Sequence, residues 1–113
     1  KQGEIWSVGL DPTLGAEMRK TRPVIVVSDD ELGRLPLRIV VPLTDWKAHY
    51  VHAPWMVRVS ADAKTRLTKP SAADCFQVRS ISEERFIKRI GVVDPVAMGR
   101  IREGLAAVLS ITN

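Results

Sequence analysis

The chain has 113 residues, with 17 Lys and Arg against 13 Asp and Glu, a net charge of +4 and a single cysteine, Cys75. One cysteine excludes an internal disulfide framework and a paired-cysteine metal site, and no apolar run approaches the roughly 18 residues of a membrane span. We therefore expect a single domain over residues 1–113 in a reducing, cytoplasmic setting, and the positive charge favours a polyanionic partner.

The first half of the chain predicts strands separated by long loops. Apolar residues alternate with others from Glu4 to Leu10, which is typical of a half-buried strand. A continuous β-branched run from Pro23 to Ser28 predicts a central strand, and Leu37 to Leu43 predicts another. Residues 11–21 and 44–54 are predicted loops, and loops of that length in small domains usually carry function.

The second half predicts three more strands and a closing helix. The strands are expected at Trp55 to Val59, Ala73 to Arg79 and Phe86 to Val92. Asp94 followed by Pro95 predicts a helix start, because Asp caps a helix N-terminus and Pro is favoured at the first helical position.

The apolar spacing after residue 95 predicts one buried helix face. That face is made by Met98, Ile101, Leu105, Val108 and Leu109. Several strands followed by one helix predict an α+β fold with an antiparallel, barrel-like sheet.

Five short segments follow one another along nearly the whole chain. They are Gly3-Glu4-Ile5-Trp6, Asp11-Pro12-Thr13-Leu14-Gly15-Ala16-Glu17, Arg22-Pro23-Val24-Ile25-Val26-Val27, Val41-Pro42-Leu43-Thr44 and Gln77-Val78-Arg79-Ser80-Ile81. In this order they resemble the MazF/PemK family of toxin endoribonucleases from bacterial toxin–antitoxin systems. The resemblance implies an SH3-like (CcdB/MazF-type) antiparallel β-barrel with a C-terminal helix, a homodimer and a cognate antitoxin. It also implies metal-free cleavage of single-stranded RNA at short sequence motifs, without a cofactor.

The same resemblance implies roles for individual residues. Arg22 and Thr44 would be the catalytic pair, Glu17 would help to place Arg22 or the substrate, and Gln77 would contact bases. Further predicted RNA-binding side chains belong to the two long loops and to the segment around Gln77: Arg19, Lys20, Trp46, Lys47 and Arg79. Trp46 next to Lys47 is the pairing of aromatic and cation that holds single-stranded nucleic acid, whereas Trp6 and Trp55 are more typical of a core or an interface.

The chemistry of metal-free RNA cleavage assigns some of these roles and leaves one open. The 2′-hydroxyl attacks the phosphorus, so the site needs a base, a cation for the phosphorane charge and an acid for the leaving oxygen. The guanidinium fork of Arg22 suits the phosphorane, but a guanidinium has only donors and no acceptor, which makes it a poor base. The base is left open between Glu17, His49 and His52.

Two other function classes share this fold. One is a CcdB-like toxin that poisons DNA gyrase by protein contact and needs no pair of Arg and Thr. The other is a module that binds nucleic acid or antitoxin without cutting. Cleavage of RNA, but not of its 2′-deoxy copy, separates the ribonuclease from both.

Overall fold

The computed structural model describes residues 1–9 and 21–112. Within that part of the chain the structure consists of seven strands and one α-helix, joined by turns and short 3-10 helices. The elements are β1 Glu4–Gly9, β2 Thr21–Val26, β3 Leu37–Asp45, β4 Met56–Val59, β5 Ser71–Asp74, β6 Arg79–Ser82, β7 Phe86–Val92 and α1 Pro95–Leu109.

The strands form one antiparallel sheet in the order β4-β5-β3-β2-β1-β7. The long strand β3 has β2 on one edge, while its other edge pairs first with β6 and then with β5. The described strands form an open path and do not close a barrel by strand pairing, although the Val92 N–H donates to the Lys64 carbonyl at 3.0 Å and joins β7 to the segment after β4. The predicted antiparallel sheet with a C-terminal helix is confirmed.

Alternation along the strands gives the sheet two different faces, because successive side chains of a strand point to opposite sides. On one face the buried side chains of Ile25, Val41 and Leu43 belong to the main core, which α1 covers through Met98 and Ile101. On the other face a second core forms beneath Trp6 and Phe86, whose rings meet edge to face at 5.5 Å. This second core contains Val8, Val24, Val26, Val40 and Ile81.

Helix α1 begins where the sequence predicts. The Asp94 carboxylate accepts a hydrogen bond from the Ala97 N–H at 2.8 Å, and Pro95 occupies the first turn. The prediction that Leu109 belongs to the buried face of α1 is wrong, since its side chain is 57% exposed. Gly104 is buried against Cys75, where a Cβ would lie only 2.8 Å from the sulfur. No helix in residues 1–9 and 21–112 is both long enough and apolar enough to cross a membrane.

Two segments differ from the sequence predictions. The strand expected from Ala73 to Arg79 is broken by a 3-10 turn at Cys75–Gln77, which separates β5 from β6. The cause is Asp74, whose side chain accepts a hydrogen bond from the Phe76 N–H at 3.1 Å and caps the turn. The predicted loop at 44–54 begins two residues later, since β3 continues to Asp45, and it contains a 3-10 turn at Ala48–His52.

Candidate functional site

Arg22 and Thr44 lie side by side on neighbouring strands. Val24 of β2 pairs with Pro42 of β3; Arg22 lies two residues before Val24, and Thr44 lies two residues after Pro42. Residues two apart on a strand point to the same face of the sheet. Accordingly, both line the same two clefts, of about 340 and 350 Å³, at the outer ends of β2 and β3.

The backbone on both sides of Arg22 is fixed by the sheet. Arg22 pairs with Val8 on β1, and the following Pro23 restricts it to extended geometry. Its side chain is exposed, and among the described residues it forms no salt bridge. The backbone of Arg22 is therefore held in place, and no described residue occupies the donors of its guanidinium.

The opposite wall of the first cleft brings in two more of the predicted site residues. Gln77 lies in the 3-10 turn after β5, and Arg79 begins β6, where it pairs with Val40. Both line the cleft with Arg22 and Thr44. These residues, from three separate segments of the sequence, meet because β3 pairs with β2 on one edge and with β5 and β6 on the other.

Asp74 is a site residue that the sequence analysis missed. It ends β5, lines the same cleft, and each of its carboxylate oxygens accepts a hydrogen bond. Oδ1 accepts from the Phe76 N–H at 3.1 Å, and Oδ2 accepts from Nε2 of Gln77 at 3.0 Å. The available signal was its position two residues before Phe76 and three before Gln77, which is the spacing of a capping side chain.

Tyr50 also lines the cleft, as do Pro42, Leu43 and Met56, and the ring of Tyr50 contacts Trp46. Trp46 is half-buried and does not line either cleft; its ring packs edge to face against Tyr50 at 5.7 Å. Lys47 is exposed at the start of the 3-10 turn and also lies outside the lining. Trp46 therefore contacts Tyr50 but lies outside the lining of both clefts.

An exposed aromatic pair borders the cleft instead. Trp55 precedes the cleft residue Met56, and Phe76 lies between Asp74 and Gln77. Their rings meet edge to face at 5.7 Å, and Phe76 is 64% exposed.

The three candidates for the base differ in what the structure says of them. Glu17 lies outside the described residues, as do Arg19 and Lys20. His49 and His52 are exposed on the 3-10 turn, and neither lines the clefts with Arg22 and Thr44. His49 packs against the ring of Tyr50 at 4.7 Å.

The charges of the clefts favour an anion. The first cleft has the guanidiniums of Arg22 and Arg79 against the single carboxylate of Asp74 among its described lining residues. In the second cleft, Asp45 forms a salt bridge with Lys69 at 3.0 Å, which offsets its charge. Two open cations facing one hydrogen-bonded carboxylate are suited to a phosphodiester.

Cys75, next to Asp74, takes no part in this surface. The side chain is fully buried, and burial, together with the negative charge of Asp74, raises the pKa of Cys75 to about 11. The thiol is therefore protonated at neutral pH and is not a nucleophile. Among the described residues no group of three or more His, Cys, Asp or Glu is placed to hold a metal ion.

The chain is similar to known proteins over nearly its whole length. A family model described as a PemK-like, MazF-like toxin of type II toxin–antitoxin systems matches residues 1–109. The chain is 35% identical to endoribonuclease MazF9 of Mycobacterium tuberculosis, over 98% of this chain and 97% of that protein. It is 31% identical to endoribonuclease PemK of Escherichia coli, over 97% of this chain and 82% of that protein.

Solved structures show the same fold at lower sequence identity. A mycobacterial endoribonuclease in complex with its cognate antitoxin superimposes with a TM-score of 0.78 at 18% identity, over 99% of this chain and 96% of that one. The toxin of a MazE–MazF complex from Deinococcus radiodurans gives a TM-score of 0.77 at 19% identity, over 98% of this chain and 96% of that one.

Proposed function

The chain belongs to the PemK-like, MazF-like toxin family of type II toxin–antitoxin systems. We propose that it is an endoribonuclease that cuts single-stranded RNA at a phosphate bound by Arg22 and Thr44. The observation that carries the proposal is that these two side chains, on the neighbouring strands β2 and β3, line the same two clefts. A guanidinium fork and a hydroxyl on one rigid sheet can hold both non-bridging oxygens of one phosphate.

The reaction is a transesterification within the RNA. A base removes the proton of the 2′-hydroxyl, and that oxygen attacks the adjacent phosphorus. The P–O5′ bond breaks, the 5′-oxygen takes up a proton, and the products are a 2′,3′-cyclic phosphate and a 5′-hydroxyl. Arg22 neutralises the charge that builds up on the phosphorane, and Thr44 donates a hydrogen bond to one of its oxygens.

Glu17 is the base that we propose. His49 and His52 do not line the clefts, and both carboxylate oxygens of Asp74 already accept hydrogen bonds that organise its own turn. Glu17 belongs to the segment that resembles the family, five residues before Arg22 in the sequence. Arg19 and Lys20, which lie between them in the sequence, would bind flanking phosphates, as would the exposed Lys47.

The partners of this chain follow from its family and its charge. We propose that a cognate antitoxin neutralises it by laying an acidic segment over Arg22 and Arg79, in competition with RNA. We propose also that the toxin acts in the cytoplasm as a homodimer, whose two copies together form a groove for several nucleotides. Sedimentation as a monomer at working concentration would contradict the dimer.

One experiment separates cutting from binding. Purified protein is mixed, in the presence of a metal chelator, with a mixed-sequence single-stranded RNA and with a copy made of 2′-deoxy sugars. We expect cleavage of the RNA to cyclic-phosphate and 5′-hydroxyl ends, and an intact deoxy copy. Binding of both strands without cleavage of either would contradict the proposal.

A further inference from the structure

Asp74 holds two groups of the turn that follows it. One oxygen accepts from the Phe76 N–H at 3.1 Å and shapes the turn, and the other accepts from the Gln77 side-chain amide at 3.0 Å. The first contact is a cap that many turns have. The second joins two side chains that both line the cleft next to Arg22 and Thr44.

The second contact fixes which way the Gln77 amide faces. An ionised carboxylate only accepts hydrogen bonds, so the amide must turn its NH₂ group toward Asp74. If the amide turned over, its oxygen would face a carboxylate oxygen and the hydrogen bond would be lost. The Gln77 oxygen is therefore held on the side away from Asp74, with its lone pairs available to a ligand.

Apart from Asp74, the other polar side chains of this cleft can donate hydrogen bonds. Arg22 and Arg79 have only N–H donors, whereas the hydroxyls of Thr44 and Tyr50 rotate and can either donate or accept. The Asp74 oxygens are already hydrogen-bonded within their turn, so among the described lining residues the Gln77 oxygen is the amide acceptor whose direction is fixed. Donors suit phosphates, whereas an oriented acceptor suits an amino group on the edge of a base.

We propose that Asp74 is a positioning residue that orients Gln77, so that the Gln77 amide oxygen accepts a hydrogen bond from the exocyclic amino group of a nucleobase next to the cleaved bond. The proposal rests on the proposed ribonuclease function and adds to it a class of base, adenine, cytosine or guanine, at one position. Gln77 makes the contact, and Asp74 determines that the oxygen of the Gln77 amide, and not its NH₂ group, faces the base.

The test measures kcat/KM on matched RNA pairs that differ by one amino group. Adenosine is compared with purine riboside, cytidine with pyrimidin-2-one riboside, and guanosine with inosine, at each position flanking the mapped cleavage site. On the parent protein we expect removal of the amino group to lower kcat/KM about 3- to 10-fold at one position, the usual worth of one hydrogen bond. Gln77→Met keeps the length of the side chain but loses the oxygen, so this variant should have the same kcat/KM with and without the amino group.

Asp74→Asn separates positioning from folding. The introduced amide keeps an oxygen to cap the Phe76 N–H but presents an NH₂ to Gln77, which lets the Gln77 amide turn over. We expect the amino-group preference to fall several-fold or to invert, while the thermal unfolding midpoint stays close to that of the parent. Asp29→Asn is the matched control, because Asp29 caps a 3-10 turn in the same way, through the Glu31 N–H at 2.8 Å, and lines neither cleft, so the amino-group preference of this variant should equal that of the parent.

The possible outcomes separate this inference from the function on which it rests. Cleavage with no amino-group preference at any flanking position would overturn the inference alone. An unchanged ratio in Asp74→Asn would also overturn it, since the preference would then not depend on the orientation of Gln77. If the parent cleaves no RNA at all, the proposed function fails and this inference fails with it.

Discussion

Arg22 on β2 and Thr44 on β3 line the same two clefts, on the sheet face that α1 does not cover. Each is held by its own strand pairing, Arg22 with Val8 and Thr44 with Ala72. Their relative placement is therefore set by backbone pairing and not by a flexible loop. Because the alternation that buries Ile25 and Leu43 beneath α1 also points Arg22 and Thr44 the other way, the core and the site depend on the same register.

Removal of the guanidinium should stop cleavage without unfolding the protein. Arg22→Ala is expected to lower the single-turnover rate about 100-fold or more, since the phosphorane loses its cation. Arg22 is exposed, so the unfolding midpoint should change little. The matched control is Arg100→Ala, an exposed arginine on α1, which should cleave at the rate of the parent. Equal rates for the two variants would refute the role of Arg22.

The hydroxyl of Thr44 is tested by an isosteric pair. Thr44→Val keeps the shape of the side chain and loses the donor, and we expect a fall of roughly 10- to 100-fold in rate, as for a hydrogen bond to a charged group. Thr44→Ser keeps the hydroxyl and should retain most of the activity. If Thr44→Val were as active as Thr44→Ser, the hydroxyl would not contact the phosphate.

The base is identified from rate against pH. Glu17→Gln should lower the rate and remove the limb of the profile that reports the deprotonated base, because glutamine cannot take a proton. His49→Ala and His52→Ala should keep the profile of the parent, since neither ring lines the clefts. A profile altered only by a histidine variant would transfer the role of base from Glu17 to that histidine.

Replacement of two glycines of α1 by alanine should change the free energy of unfolding in opposite directions. At Gly104 the new Cβ would lie 2.8 Å from the Cys75 sulfur and 3.3 Å from Val57, so Gly104→Ala overpacks the core and should destabilise by about 1–3 kcal/mol. At Gly99 no atom lies within 4 Å of the Cβ, and Gly99→Ala should stabilise the helix by up to about 1 kcal/mol. Urea unfolding measures both, and a stabilised Gly104→Ala would contradict the packing of α1 on Cys75.

Cys75 gives a pH dependence of stability with a definite sign. Burial raises the pKa of the thiol from its ordinary value of 9.0 to about 11, so the unfolded chain loses this proton at lower pH than the folded chain. The contribution is fully present below pH 9 and is lost as pH rises toward 11, because the folded state then holds more protons than the unfolded state. The free energy of unfolding of the parent should fall more steeply over this range than that of Cys75→Ala. Parallel curves would show that the thiol is not buried as described.

Elements with a strong local signal could be predicted from the sequence. Helix α1 is marked by Asp94 and Pro95 at its start, and β2 by a run of β-branched residues, so local chemistry and tertiary structure agree there. The break between β5 and β6 could not be predicted in this way. Residues 73–79 have mostly strand-forming side chains, and the break comes from a single hydrogen bond to Asp74.

The site was predictable only where the family resemblance reached it. Arg22, Thr44, Gln77 and Arg79 were named from their segments, and the structure brings these four residues to one cleft. Asp74 was missed because its importance depends on a contact with Gln77 across a turn whose shape the sequence did not reveal. Trp46 is predicted to bind RNA at the site, but its ring packs against Tyr50 and it lines neither cleft.

The most direct test of a phosphate shared by Arg22 and Thr44 is a double-mutant cycle between the guanidinium and the hydroxyl of these two residues. Single-turnover cleavage of one RNA is measured for the parent, Arg22→Ala, Thr44→Val and the double variant. If both side chains stabilise the same phosphorane, the double variant should lose little more than Arg22→Ala alone, because residues that act as a unit are not additive. Losses that multiply independently, or full activity without either group, would contradict a shared phosphate between Arg22 and Thr44.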